Sequence, residues 1–149
     1  MSVDTAIKPS LTIKRHIKAS PAKVFAAWTD PEKMKLWMGP GGYKIPEADA
    51  DAHVGGRYRI VMLSPEGKKP AVGGIYREVI ANEKLVFTWT WDPAPGDTPY
   101  ESLVTVLLKP DGDGTLLTLT HERLFDEESR NGHEAGWKGS LDKLEKFVA

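Results

Sequence analysis

Hydrophobic side chains recur every three or four residues through the last stretch of the chain, residues 126–149. At about 100° per residue, one helical face collects a set of apolar, small and weakly polar residues: His133, Gly136, Trp137, Ser140, Leu141, Leu144, Phe147 and Val148. Glu134 and Lys138, an acid and a base four residues apart, lie outside that face. Asp126 is a suitable N-cap, and two glutamates follow it. The pattern predicts one long amphipathic helix.

The apolar face of this predicted helix is uneven. Its second half offers leucine and valine side chains, whereas its first half places His133, Gly136 and Ser140 at the centre of the face. A glycine inside a helix costs about 1 kcal/mol relative to alanine, so Gly136 and Gly139 need a reason. They indicate either close packing of another backbone against the helix or a cavity that the helix lines.

The start of the chain combines one alternating segment with two helix-start signals. Residues 11–18 alternate apolar and polar side chains, which predicts a half-buried strand. Ser20 followed by Pro21, and Asp30 followed by Pro31, each place a capping side chain before a proline. These signals predict two short helices, which end before a glycine- and proline-rich segment.

From residue 43 onward the pattern is typical of strands separated by turns. The predicted strands are 43–54 (a weak edge strand), 57–63, 72–80, 85–91, 101–109 and 115–123, with a proline-rich loop at 92–99. A meander of antiparallel strands has one apolar face to bury, and the C-terminal helix is the element long enough to cover it. We therefore predict an α+β fold in which a curved antiparallel sheet of about seven strands wraps around that helix. The two short helices follow the first strand.

Length and composition set limits on the class of protein. A chain of 149 residues suits a single domain, which we place at 10–149 after a flexible N-terminus at 1–9. Basic and acidic side chains number 20 and 21, with no basic run, so a nucleic acid is not expected as partner. No apolar run is long enough for a membrane span, and the N-terminus lacks a signal-peptide core. We expect a cytoplasmic protein that does not act at a membrane.

Motifs for metal, phosphate and nucleophilic chemistry are missing from the sequence. There is no cysteine, and the four histidines do not form H-E-x-x-H or a comparable spacing. The glycine pairs lack the pattern of a phosphate-binding loop, and no G-x-S-x-G occurs. We expect neither a metal site nor a cofactor.

Strand alternation directs a set of large and polar side chains toward the interior that the helix covers. The strands contribute Tyr58, Met62, Tyr76, Glu78, Trp89, Trp91 and His121, and the helix contributes His133, Trp137 and Ser140. An aromatic chamber with a few polar groups is typical of a small-molecule pocket. These ten residues are the predicted ligand-binding set.

Each of these side chains also has a structural interpretation. The tryptophans can belong to an ordinary core, and Met62 can simply fill a gap. The hydroxyl groups of Tyr58 and Tyr76 can reach solvent at a rim, and His133 can cover the mouth of the groove. The sequence leaves these alternatives open.

His121 and Glu78 are the weak catalytic candidates. A histidine and a glutamate aimed into one apolar chamber can form a general acid/base couple. The alternative is that Glu78 pairs with Arg15 or Arg57, while His121 hydrogen-bonds to the helix. Of the two, the structural alternative is the one we favour from the sequence.

Several segments together resemble the SRPBCC superfamily, and most closely the proteins similar to the C-terminal domain of the activator of heat-shock protein 90 ATPase. The segments are 19–32 (ASPAKVFAAWTDPE), 37–40 (WMGP), 74–78 (GIYRE), 85–89 (LVFTW), 114–121 (GTLLTLTH) and 133–144 (HEAGWKGSLDKL). The resemblance covers about residues 10–148 in the order of the family. It implies a helix-grip, or Bet v 1-like, fold with a deep apolar cavity.

This resemblance implies three kinds of function. Members of the superfamily bind lipids, sterols, polyketides and other hydrophobic molecules, and some are cyclases or dehydratases. The leading hypothesis is a binding module for a hydrophobic, aromatic or lipid-like molecule. The alternatives are an interaction module with a chaperone as its partner, and a cyclase- or dehydratase-like enzyme using His121 or Glu78. The known chaperone activator carries an additional N-terminal domain, for which 149 residues leave no room. We expect a monomer or a weak homodimer.

Overall fold

The computed structural model describes residues 8–92 and 99–148. Within these ranges the elements in chain order are β1 (Leu11–Ile17), α1 (Pro21–Thr29), α2 (Pro31–Trp37), β2 (Lys44–Ala50), β3 (Arg57–Leu63), β4 (Ala71–Ile80), β5 (Lys84–Asp92), β6 (Glu101–Asp111), β7 (Gly114–Glu122) and α3 (Glu127–Val148). Residues 1–7 of the predicted flexible N-terminus and 93–98 of the predicted loop lie outside the described residues. Both expectations stay predictions.

The seven strands form one antiparallel sheet in the order β1-β7-β6-β5-β4-β3-β2. Helices α1 and α2 connect the two edge strands, β1 and β2. The predicted architecture, a curled sheet around a long C-terminal helix with two short helices after the first strand, is confirmed: this is an α+β helix-grip fold. The edge strand β2 is shorter than the predicted 43–54.

The two short helices begin where the capping signals predict. Ser20 Oγ accepts a hydrogen bond from the Lys23 backbone N–H at 3.2 Å, and Asp30 Oδ1 accepts one from the Glu32 N–H at 3.0 Å. A proline stands at the start of each helix, where its fixed φ fits and no N–H is needed. Local sequence therefore sets both boundaries.

Helix α3 is capped by Asp126, whose Oδ1 accepts the Ser129 N–H at 2.8 Å. In its second half, Leu141, Leu144 and Val148 are completely or almost completely buried. This half packs against the sheet and supplies apolar burial to the core. None of the described helices is long and apolar enough to cross a membrane.

Strand β4 contains a bulge that changes which side chains face inward. Tyr76 pairs with Phe87, whereas Glu78 pairs with Val86, so Arg77 is an extra residue on the β4 side. A bulge of one residue reverses the alternation beyond it. Val79 therefore packs against the core.

Candidate ligand-binding site

A cavity of about 510 Å³ lies between the sheet and the first half of α3. Its walls come from four parts of the chain. The sheet gives Met62, Trp89 and Trp91, with Pro70 just before β4. Helix α3 gives Glu128, Ser129, Gly132, His133, Gly136, Trp137 and Ser140. The α2–β2 loop gives Met38, Gly39, Pro40 and Tyr43, and the segment leading into α3 gives Phe125 and Asp126. Ligand pockets in proteins commonly have volumes of roughly 300–1,000 Å³ and mostly apolar walls. The cavity has the size and composition of such a pocket.

Six of the ten predicted residues line this cavity: Met62, Trp89, Trp91, His133, Trp137 and Ser140. The other four, Tyr58, Tyr76, Glu78 and His121, do not belong to its lining. The geometry permits these six residues to bind a ligand, and their role in binding stays a prediction.

Tyr58 and Tyr76 are buried beside the cavity rather than in it. Both rings pack on Phe87, with ring centroids 5.4 and 6.1 Å away. The Tyr58 hydroxyl donates a hydrogen bond to the Thr88 carbonyl. Burial raises the pKa of Tyr76 to about 12 and that of Tyr58 well above its usual value. The expectation that these two residues point into the same chamber as the helix residues is wrong, because Trp89 stands between them and the cavity, lining both spaces.

Glu78 lies on the outer side of the sheet. Its Oε1 pairs with Nζ of Lys84 at 3.1 Å, rather than with either arginine considered from the sequence. The β4 bulge explains the error, since strict alternation from Tyr76 would have brought Glu78 inward. The prediction that Glu78 faces the interior, and with it the Glu78–His121 couple, is wrong.

His121 is completely buried behind Trp137, and both of its ring nitrogens are engaged. The Trp137 Nε1–H donates to Nδ1 at 3.0 Å, which places the histidine proton on Nε2. Nε2–H then donates to Ser102 Oγ at 2.7 Å, and the Ser102 hydroxyl donates to the Trp89 carbonyl at 3.2 Å. Burial, with a smaller contribution from His133, lowers the pKa of His121 to about 2. His121 is thus the neutral, helix-bonded residue of the structural alternative.

His133 holds a second tryptophan in the same way but in the opposite tautomer. Trp91 Nε1–H donates to its Nε2 at 2.9 Å, so the proton lies on Nδ1 and is donated to the Ser129 carbonyl at 2.7 Å. Burial lowers the pKa of His133, against an opposing effect of the hydrogen bond to Ser129. The two histidines orient two indole rings and bring no charge to the cavity wall.

Trp89 is the tryptophan of this wall that is left without a partner. The residue is 4 % exposed, its Nε1 is buried, and among the described residues nothing accepts a hydrogen bond from that nitrogen. Trp28 shares this condition. An unsatisfied buried donor costs about 1–3 kcal/mol. Trp89 therefore contributes the apolar surface of its ring to the cavity wall, while its N–H is enclosed by the protein.

The loop wall of the cavity was missed by the interpretation of strand alternation. A Cβ at Gly139 would lie 3.0 Å from the Gly41 nitrogen, so this glycine permits the loop to pack on α3. Lys143 Nζ fastens the same loop by donating to the Pro40 carbonyl at 3.1 Å. Gly136, by contrast, lines the cavity. Both interpretations of the helix glycines are therefore correct, one for each residue, and the glycine pair was the signal that could have located this wall.

Among the described residues that line the cavity, the charged side chains are Asp126 and Glu128. Within the described ranges, no three His, Asp or Glu side chains lie close enough together to hold a metal ion. The lining thus combines aromatic surface with two carboxylates.

Comparison with known proteins places this arrangement in a family. A family model described as "Activator of Hsp90 ATPase homolog 1-like protein" matches residues 18–149. No curated protein matches the chain. Among solved structures, the AHSA1 protein from Silicibacter pomeroyi is 33% identical with a TM-score of 0.81, covering 93% of this chain and 96% of that one. A protein from Chromobacterium violaceum is 29% identical with a TM-score of 0.85, over 93% and 96% of the two chains.

A third solved structure shows how far the fold extends beyond sequence likeness. A protein from Arthrobacter aurescens shares 21% identity with this chain but has a TM-score of 0.81, covering 98% of this chain and 92% of that one. The family resemblance predicted from the sequence segments is confirmed. The chain belongs to the family of Activator of Hsp90 ATPase homolog 1-like proteins.

Proposed function

We propose that this protein binds a small hydrophobic molecule, aromatic or lipid-like, in the cavity between its sheet and α3. The observation that carries the proposal is a cavity of about 510 Å³ between the sheet and α3, with Trp89, Trp91 and Trp137 in its wall. Protein interiors are closely packed. A core that served stability alone would therefore be expected to fill a space of this size with side chains.

The wall is organised to keep its shape when a ligand enters. Trp91 and Trp137 are each fixed by a hydrogen bond to a buried histidine, and neither indole needs a new partner. Pre-oriented aromatic rings lose little conformational freedom on binding. Burying about 200 Å² of apolar ligand surface contributes about 5 kcal/mol toward binding.

The other two functions have less support. General acid/base chemistry needs a titratable group that reaches the reacting atoms. Glu78 is on the outer face of the sheet, and His121 uses both ring nitrogens within the core. A chaperone partner stays a prediction, to be tested by mixing the protein with the chaperone and following its ATPase rate.

Binding can be tested by titrating the protein with N-phenyl-1-naphthylamine and following tryptophan and dye fluorescence. We expect saturable binding that weakens at least tenfold in Gly136→Leu, whose side chain extends into the cavity. Ala135→Leu is the matched control, because it adds the same side chain one residue earlier on the exposed side of α3. This control should bind like the wild type.

Native mass spectrometry of the purified protein is the complementary measurement. An extra mass that disappears on denaturation identifies a ligand retained from the cell, and the same mass should be absent from Gly136→Leu. The proposal is overturned if a panel of aromatic, lipid and polyketide compounds gives no saturable response. It is also overturned if Gly136→Leu binds the dye as tightly as the wild type does.

A further inference from the structure

The mouth of the cavity carries its formal charge. Among the described residues that line the cavity, Asp126 and Glu128 are the two acidic side chains, and both are exposed to solvent. His133 is neutral, because burial lowers its pKa. A ligand that enters passes two carboxylates and no lining lysine or arginine.

These carboxylates stand at the start of α3 on well-defined backbone. Asp126 is held by its hydrogen bond from the Ser129 N–H, so its charge stays at the rim. The positive end of the helix dipole offsets part of this charge. Glu128 makes no hydrogen bond or ion pair with another described residue and remains a free negative charge at the opening.

Basic groups close to the opening are bound to other acceptors. Arg130, one helical turn after Asp126, donates from Nε to the Ser10 carbonyl and from Nη1 to Glu134 Oε1, both at 2.9 Å. Lys8 Nζ donates to the Phe125 carbonyl at 3.2 Å and lies 5.4 Å from the centre of the Phe125 ring. Lys143 Nζ donates to the Pro40 carbonyl behind the loop wall, and burial lowers its pKa. Neither ammonium group belongs to the lining of the cavity.

We propose that the cavity accepts aromatic molecules that are uncharged or cationic, and that it discriminates against aromatic carboxylates and sulfonates. This inference rests on the proposed function and narrows its ligand class. An anionic group at the rim is repelled by Asp126 and Glu128, and because both carboxylates are exposed to solvent this repulsion is screened by added salt.

A matched pair of dyes tests this selection. N-phenyl-1-naphthylamine is uncharged, and 8-anilino-1-naphthalenesulfonate has the same ring system with one sulfonate added. At low ionic strength we expect the sulfonate to bind at least tenfold more weakly. In the double variant Asp126→Asn, Glu128→Gln this ratio should fall at least threefold, and added salt should reduce it in the wild type. Asparagine retains the capping function at 126.

Glu127→Gln is the matched control for charge. Glu127 is in the same helical turn and equally close to the helix start, but it does not line the cavity. It should leave the ratio of the two affinities unchanged. Gly136→Leu should weaken both dyes, which establishes that both occupy the cavity.

The outcomes separate the two proposals. If the uncharged dye binds in the cavity and the sulfonate binds equally tightly or more tightly, the charge selection is wrong while the binding function stands. If Glu127→Gln changes the ratio as much as the double variant does, the selection is not made at the mouth and the inference is overturned. If neither dye responds to Gly136→Leu, the binding function fails and the inference fails with it.

Discussion

His121 and His133 face each other across the base of the site, with ring centroids 4.8 Å apart and their protons on opposite nitrogens. Each accepts an indole N–H on its unprotonated nitrogen. Protonating either ring would set two N–H groups against each other. Both side chains therefore remain neutral in the folded protein, and the indole positions depend on that neutrality.

Folding stability should fall as the pH is lowered. The pKa of His121 is about 2 when folded and about 6.5 when unfolded, so below pH 6.5 the unfolded chain binds a proton that the folded protein does not. The free energy of unfolding is highest above pH 6.5 and decreases by about 1.4 kcal/mol per pH unit between about 6 and 4 from His121 alone. Urea unfolding at several pH values measures this slope.

The source of the slope can be identified by NMR. Long-range proton–nitrogen spectra should show His121 protonated on Nε2 and His133 on Nδ1, and His121 should not titrate down to pH 4. His16 is the internal control, because its hydrogen bond to Asp111 raises its pKa and any stability it adds is lost as the pH rises. Titration of His121 near pH 6.5 would contradict the prediction.

At the scale of the element, α3 contains three glycines with different surroundings. A Cβ at Gly132 would meet nothing within 4 Å, one at Gly136 would touch Pro40 Cγ at 3.5 Å, and one at Gly139 would crowd the Gly41 nitrogen at 3.0 Å. Only the last of these is a close backbone approach. Gly139 is thus the one of the three glycines at which the loop backbone leaves no room for a side chain.

Alanine substitutions should separate these cases. Gly132→Ala should raise the free energy of unfolding by about 0.5–1 kcal/mol, since alanine fits the helix and lacks the conformational entropy cost of glycine. Gly139→Ala should give no such gain, because the added methyl group pushes the loop away. Urea unfolding of the two variants beside the wild type makes the comparison. Equal stabilisation by both would show that the loop does not depend on Gly139.

Sequence signals that span only a few neighbouring residues predict the helices and strands well. Capping residues before prolines gave both short helices, and alternation gave the strands, because each signal is contained within a few neighbouring residues. The β4 bulge has no such signal, because the extra residue Arg77 is defined only by the pairing of β4 with another strand, β5. That single residue is why Glu78 was expected inside and lies outside.

At the scale of the whole molecule, Arg15 joins the first strand to the last helix. Its Nη1 donates to Asp142 Oδ1 and to Glu145 Oε2, both at 2.7 Å. The guanidinium is only 21 % exposed and lies where the edge strand β1 meets α3. This contact fastens the two ends of the described chain to each other.

Removing this link should lower stability more than removing a surface pair. We expect Arg15→Gln to reduce the free energy of unfolding by about 1–2 kcal/mol, since two charge-assisted hydrogen bonds are lost and two carboxylates are left together. Arg77→Gln is the control, because Arg77 and Glu101 are 3.7 Å apart and both largely exposed. It should cost less than about 0.5 kcal/mol. Equal losses of unfolding free energy in the two variants would show that the Arg15 contacts contribute no more to stability than an exposed ion pair.

The site was less predictable than the fold. Alternation and helical periodicity located six lining residues, because sheet and helix face each other across the cavity. The loop wall around Pro40 and the rim at Asp126 depend on how separate elements pack, which periodicity does not record. Tyr58 and His121 were misplaced for the same reason: the chain directs them inward, but Trp89 and Trp137 cover them.

Helix α3 divides its two tasks along its length. The helix residues that line the cavity end at Ser140, and the buried leucines begin at Leu141. Substitutions of the exposed or half-buried lining residues in the first half can therefore change the cavity wall and leave these leucines in place. Relatives of the same shape can thus differ in the lining of this cavity by a few exchanges on two helical turns.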